Sequence, residues 1–331
     1  MIIKMVKKIT IKDIAQEAGV SRTAVSFHLN GKAGQYNLSD NTCKRIEKII
    51  KKHNYVPNFH AKAINSGKTY LIGLVLENIN RSFWTEIIAG IEEAIEEYQY
   101  HMLLAVSHFR AEREKEILNF LNVKGVDGFI FAPMLSDDGI PLNLPSLRKI
   151  SESKPLVAIT YPVKGFPSVY NDNSEGGRIA AEHLYGNGHR KVAFIGHNKT
   201  YDTRARAFVD YFAKKNIRVP VFDSTEKFMP EIRKYTAVFC YTDYMLLDLY
   251  GKSEDAGIGI PKDISVIGYD NMDFVKYLKP SPATIHQHKT ELGHAAGELL
   301  MKMLHNNKVD EKQIRFIPEL IAGKSVGAAS K

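Results

Sequence analysis

Arg22, Thr23, Ser26 and Phe27 follow one another closely behind Ser21, and their chemistry is that of a reader of DNA bases. An arginine guanidinium can donate two hydrogen bonds to guanine O6 and N7, a threonine can reach a base edge or a thymine methyl, and a phenylalanine offers apolar contact alone. Ser21, Ser26 and the lysine side chains suit phosphate oxygens, which fix register without reading sequence. Enzymatic motifs fail by comparison. Gly257-Ile258-Gly259 lacks the third glycine of a dinucleotide fingerprint, and the phosphate-loop tails at Gly67-Lys68-Thr69 and Gly323-Lys324-Ser325 have Lys62 and Pro318 where the first glycine is required. His286 and His288 share a face of an apparent strand with no third ligand in view, and Cys43 and Cys240 match no metal spacing. Neither catalysis nor a metal or cofactor is expected, and the two cysteines should be reduced thiols in a cytoplasmic protein.

The elements that must present these residues are three short helices. Thr10 ahead of Ile11-Lys12-Asp13 is a helix start, and Ile11, Ile14, Ala15 and Ala18 share one face. Gly19 permits a tight turn, Ser21 caps a second helix to about Asn30 that buries Val25 and Leu29, and Ser39 caps a third from about Asp40 to His53. A helix, a glycine turn and a helix with polar residues at its N-terminal end are what reading a major groove requires.

Charge agrees with that assignment. The 331-residue chain carries a net +8, yet residues 1–68 hold 13 Lys and Arg against 4 Asp and Glu, so the head is +9 and the remainder −1. Clustered cations attract phosphates and release their counterions. With 44% apolar residues the chain can bury cores in two or more domains, and no apolar run approaches the ~18 residues of a membrane span.

The head resembles that of the lactose-repressor family of bacterial transcription regulators. The resemblance lies in Thr10-Ile11-Lys12-Asp13-Ile14-Ala15, Ala18-Gly19-Val20-Ser21, Val25-Ser26 and Leu29-Asn30-Gly31, in that order and spacing. The long loop from Asn30 through Tyr36 to Ser39 looks like the fructose-repressor subtype, while Ala24 and Phe27 depart from the usual pattern. The resemblance implies a double-stranded DNA operator as partner, with Thr10, Lys12, Asn30 and Tyr36 joining Ser21, Arg22, Thr23, Ser26 and Phe27 at the interface. It also implies a hinge helix and linker over 57–69, with Asn58, Ala61 and Lys62 on DNA and Ile64 as the apolar wedge in the minor groove. So short a helix orders only when two pack together on DNA, which requires a homodimer.

From Leu71 onward, apolar runs alternate with amphipathic stretches in two series of about 100 residues, at Leu71 to Leu76, Met102 to Val106, Gly128 to Ala132 and Pro155 to Ile159, then Val192 to Ile195, Ala237 to Cys240 and Ile264 to Ile267. The fold class is therefore an all-α helix-turn-helix head (1–56) on an α/β body of two doubly wound parallel-sheet lobes (70–331), with a ligand cleft at the strands' carboxyl ends. The first lobe is expected over about 70–161 plus 288–316 and the second over 162–287 plus 317–327. The resemblance, which covers nearly the whole chain, implies the body of a periplasmic-binding protein and, residue by residue, a cleft lined by Phe83, Trp84, Thr160, Arg204, Thr242, Asp243 and Asp270.

These residues describe a dimeric regulator, a repressor by resemblance, that binds a palindromic operator under control of a small carbohydrate-like effector. The absence of an acid at Thr160, with Arg204 kept, tilts the expected effector towards a sugar phosphate over a neutral sugar. The alternative is a DNA-binding regulator controlled by a protein co-regulator, or one without an effector, because residues 216–236 are shorter than the family's usual ligand wall.

Overall fold

Three capping hydroxyls set the helices of the head. In this computed structural model, which describes residues 9–55, 63, 67–79, 82–196, 203–305, 309 and 313–329, Thr10 closes a reciprocal capping box with Asp13 at the start of α1 (Ile11–Ala18). Gly19 ends that helix with φ 60°, in the left-handed region that favours glycine. Ser21 caps α2 (Arg22–Leu29) and Ser39 caps α3 (Asp40–Lys52). Ile14, Ala15, Ala18, Val25, Ile46 and Ile49 are buried together, with Ile9, Ile11, Val20, Leu29, Ile50 and Tyr55 around them. Glu17 of α1 also meets Lys52 (2.7 Å) and His53 (2.6 Å) at the end of α3, a solvent-exposed cluster. The hinge residues Asn58, Ala61, Lys62 and Ile64 lie outside the described residues.

The chain divides into two compact units, Met1–Thr69 and Tyr70–Lys331. In the second unit the first lobe is built from β1 (Leu71–Leu76), α4 (Ser82–Glu96), β2 (His101–Val106), α5 (Ala111–Val123), β3 (Gly128–Phe131), α6 (Leu144–Ser151), β4 (Leu156–Ile159) and β5 (Ser168–Asn171). The second lobe contains α7 (Asn173–Gly186), β6 (Val192–Ile195), α8 (Thr203–Ala213), β7 (Val221–Phe222), α9 (Thr225–Phe228), β8 (Ala237–Cys240), α10 (Asp243–Asp255), β9 (Ser265–Asp270) and β10 (Ala283–His286). The chain then returns to the first lobe with α11 (Lys289–Leu304) and β11 (Gln313–Phe316), and crosses once more to β12 (Glu319–Ile321).

The two sheets have the same winding. Their orders are β2-β1-β3-β4-β5-β11 and β7-β6-β8-β9-β10-β12, parallel throughout except that β12 runs antiparallel to β10. Apolar side chains on alternate positions serve opposite faces: Ile72, Leu74 and Leu76 enter one core and Val75 another. Burial on both faces is why the interior strands β1, β3, β4, β6, β8 and β9 read as continuous apolar runs. The expected lobe boundary after residue 161 needs correction, because β5 pairs with β4 and β11 in the first sheet, so the chain first crosses after Asn171.

Two long helices, α7 and α11, have no counterpart among the sequence expectations. Gly176 and Gly177 interrupt the apolar pattern of α7, and the structure gives their reason. A Cβ on Gly176 would overlap the Tyr269 ring, and one on Gly177 the Arg204 carbonyl. The glycines let α7 approach α8 and β9 at close range, at the cost of helix propensity. Gly90 of α4 and Gly293 of α11 do the same for each other, facing the carbonyls of Thr290 and Ile87.

Candidate functional site

The head presents α2 by its first turn. Arg22 and Thr23 are exposed, as are Thr10, Lys12 and Ser21, so the backbone leaves these side chains on the surface. Two hydroxyls already serve the fold: Ser21 Oγ accepts the Ala24 amide (3.1 Å), and Thr10 Oγ1 donates to Asp13 (2.6 Å). Asn30 turns back along its helix, Nδ2 donating to the Ser26 carbonyl at 2.9 Å and to Ser26 Oγ at 3.3 Å. Phe27 is not an isolated apolar tip. The Tyr36 ring stacks on it, centroids 3.4 Å apart and planes 5° from parallel, so the loop after α2 folds back to present a two-ring stack of which Tyr36 is the exposed member.

In the body, a cavity of about 540 Å³ lies between the lobes at the carboxyl ends of the strands. That is where open parallel sheets bind ligands, at the points where strand order reverses. Its lining includes Glu77 and Asn78 after β1, Met134 after β3, Thr160 and Tyr161 after β4, Tyr241 and Thr242 after β8, Asp270 at the end of β9, and Gln287 after β10. Phe83 and Trp84 enter from the first turn of α4, their rings edge to face at 5.2 Å. Tyr244, from α10, reaches across to the start of α4, where its hydroxyl accepts the Ser82 amide at 3.4 Å.

Arg204 is nearly buried in the wall. Its Nη1 donates to the Tyr241 carbonyl (2.6 Å), its Nη2 to Asn173 Oδ1 (3.1 Å), and its guanidinium lies over the rings of Tyr269 (3.6 Å) and Tyr241 (4.4 Å). These contacts tie α8 to the start of α7 and to the end of β8. Asp270 accepts from Gln287 Nε2 at 2.6 Å, and its φ of 104° is one that non-glycine residues adopt only under constraint.

Six of the seven expected cleft residues, Phe83, Trp84, Thr160, Arg204, Thr242 and Asp270, line the cavity. Asp243 does not. Thr242 caps α10 and faces the cleft, which turns the next side chain under the sheet. There Asp243 is fully buried against Gly268 and accepts the Met272 amide and the Thr284 hydroxyl, each at 2.8 Å. Burial, and secondarily the charge of Asp270, pushes its carboxyl up to about 7. Asp243 is thus a support for the strand ends, and the expectation that it touches ligand is corrected.

Residues that sequence reasoning missed include Met134, Asn173, Tyr241 and Gln287. A buried carboxylate fixes the first: Glu114 of α5 accepts the Met134 amide (3.0 Å) and Asn143 Nδ2 (2.6 Å), and burial raises its pKa. Met134 and Tyr241 had as their sequence signal a position just past an apolar run, and Asn173 and Gln287 had none. Among the described residues no group of His, Cys, Asp or Glu is arranged to hold a metal, and no helix is long and apolar enough to cross a membrane.

Comparison with known proteins accounts for both units. Residues 10–58 match the profile of bacterial regulatory proteins of the lacI family, residues 69–221 that of periplasmic binding proteins and the sugar binding domain of the same family, and residues 181–326 a periplasmic binding protein-like domain. The transcriptional repressor PurR of Photobacterium profundum is 31% identical over 335 residues, covering 96% of this chain and 98% of the relative. The lac repressor dimer bound to operator and an anti-inducer superposes with a TM-score of 0.83 at 21% identity, over 97% of this chain and 100% of that one. A family regulator from Enterococcus faecium with bound ribose gives 0.69 at 25% identity, over 78% and 100%.

Proposed function

Since the chain belongs to the lacI family of bacterial regulatory proteins and has that family's DNA-binding head and effector-binding body, we propose that it represses transcription as a homodimer on a palindromic operator and is governed by a small carbohydrate-like effector. One observation carries the effector reading: aromatic rings and convergent polar groups from strand ends of both lobes surround a cavity of about 540 Å³, the size and make-up of a small-molecule site. The ribose bound to the Enterococcus faecium regulator supports the same class. Rings such as Phe83 and Tyr241 suit the apolar face of a sugar, and Asp270, Gln287 and Thr242 its hydroxyls.

Among the described lining residues, Glu77 and Asp270 are acidic and Arg204 is the basic one, its guanidinium already donating to the wall. That balance favours an uncharged sugar over the sugar phosphate towards which Thr160 and Arg204 tilted the sequence reading. In the head, Arg22 and Thr23 read bases, Lys12 and Ser21 hold phosphates, and Asn58, Ala61, Lys62 and Ile64 form the hinge contacts. Effector binding alters the angle between the N-terminal lobes of the two subunits and so the spacing of the two hinges, and a coupling of about 1 to 3 kcal/mol shifts operator affinity about 5- to 150-fold. Calorimetry of the full chain against a panel of sugars and their phosphates tests the effector. Heat from D-ribose or another neutral sugar, and none from its phosphate, is expected; no heat from either class removes the effector reading in favour of a protein co-regulator or no effector.

A further inference from the structure

Lys289 opens α11 in the first lobe, and its side chain is fully buried. Its ammonium donates across the lobe boundary to the carbonyls of Asp270 (2.8 Å) and Asn271 (3.2 Å), and pairs within its own lobe with Glu86 of α4 at 3.0 Å. Three oxygen partners match the three donors of an ammonium, which is what a cation needs to be tolerated out of water. The two residues it grips are both in the left-handed region, Asp270 at φ 104° and Asn271 at 49°. Such angles persist only where the surroundings over-determine them. Here Gln287 holds the Asp270 carboxylate, the Thr284 hydroxyl accepts the Asn271 amide (3.3 Å), Asp243 accepts the Met272 amide, and Lys289 fixes the carbonyls from the other lobe.

The geometry points to Lys289 as a positioning residue that aims the Asp270 carboxylate into the cleft and ties its position to Glu86, on the helix whose first turn supplies Phe83 and Trp84 to the same cavity. Lys289 lines no part of the cleft itself. A ligand seated on Asp270 pulls on the strained turn, the turn pulls on the ammonium, and the ammonium is anchored to α4, so the second lobe's contact with ligand is transmitted to the first. That consequence rests on the reading of the cleft as an effector site; the link between the lobes does not.

The test needs no effector. Trp84 is the chain's single tryptophan and is almost wholly buried at the cavity, so acrylamide quenching of the full chain reports opening there. Amide exchange resolved over residues 270–272 reports the turn. Glu86→Gln alters a half-exposed residue of the first lobe and leaves every second-lobe residue in place, and Lys289→Met removes the ammonium at similar side-chain length. Both variants are expected to speed exchange at 270–272 at least about threefold and to raise Trp84 quenching. Should Lys289→Met fail to fold, Glu86→Gln carries the test alone. Wild-type exchange at 270–272 in Glu86→Gln overturns the proposal, whatever the change in melting temperature, because a merely local packing role in the first lobe leaves the turn untouched. Absence of heat with every sugar removes the effector reading and leaves this link standing, so the two failures are distinguishable.

Discussion

Asp243→Asn should remove a pH dependence that the wild-type protein carries in its second lobe. The carboxyl is fully buried and its pKa is pushed up to about 7 from the ordinary 3.8, first by burial and then by Asp270. Because the folded state binds the proton more tightly than the unfolded chain, this group's contribution to stability is complete below the unfolded pKa and is lost as pH rises through about 7. With a folded pKa near 7, the loss between pH 5 and pH 8 is about 2 to 3 kcal/mol. Asparagine retains the shape, can accept the Met272 amide through Oδ1 and can donate to the Thr284 hydroxyl through Nδ2, without ever ionising. Urea unfolding of both proteins at pH 5, 6, 7 and 8, followed by circular dichroism, isolates the site, since every other titrating group is common to the two. The variant should gain on the wild type by about 2 to 3 kcal/mol across that range. A stability difference that stays flat from pH 5 to pH 8 would refute the argument and mean that Asp243 is ionised in the folded protein throughout.

Gly293→Ala should lower the stability of the first lobe by about 1 to 3 kcal/mol or more in thermal unfolding, because its methyl would meet the Ile87 carbonyl, backbone that cannot yield without parting α4 from α11. An unchanged melting temperature would show that the helices are not held so closely. At the head, Arg22→Ala should cost about 1 to 3 kcal/mol on a selected operator and relax base choice, with little loss on random duplex. Lys12→Ala should weaken both duplexes alike and lower the salt slope by about one; equal losses on both duplexes for Arg22→Ala would take it out of the reading role.

The head was legible because its signals are local. Thr10, Ser21 and Ser39 sit within three residues of the amides they cap, and Gly19 occupies a position that needs a positive φ. The stack of Tyr36 on Phe27 was not, since it depends on the path of a nine-residue excursion that no periodicity encodes. In the body β1, β2, β3, β4, β6, β8 and β9 announced themselves as apolar runs, while β5, β7, β10, β11 and β12 did not, and α7 was hidden by Gly176 and Gly177, glycines required by Tyr269 and Arg204, residues remote in the chain. Asp243 shows the same limit at the cleft: resemblance places the pair Thr242-Asp243 after β8, but only the start of α10 decides that the first faces the cavity and the second the sheet. Lys289 carried no signal at all, because its meaning lies in carbonyls that β9 presents from the other lobe. The likeness to a fructose-repressor subtype rested on loop length alone.

In the proposed function a basic three-helix head selects a DNA sequence while the cleft of the body governs how tightly it is held. The direct measurement is selection of duplexes from a randomised library by the full chain, then titration of the winning sequence against random competitor at fixed moderate salt, with and without the sugar panel. A two-fold symmetric sequence is expected to be bound at least about a thousandfold more tightly than competitor, with an affinity that at least one sugar shifts by fivefold or more. No enrichment of any sequence, or an enriched sequence whose affinity no member of the panel moves while calorimetry shows that member bound, would contradict it.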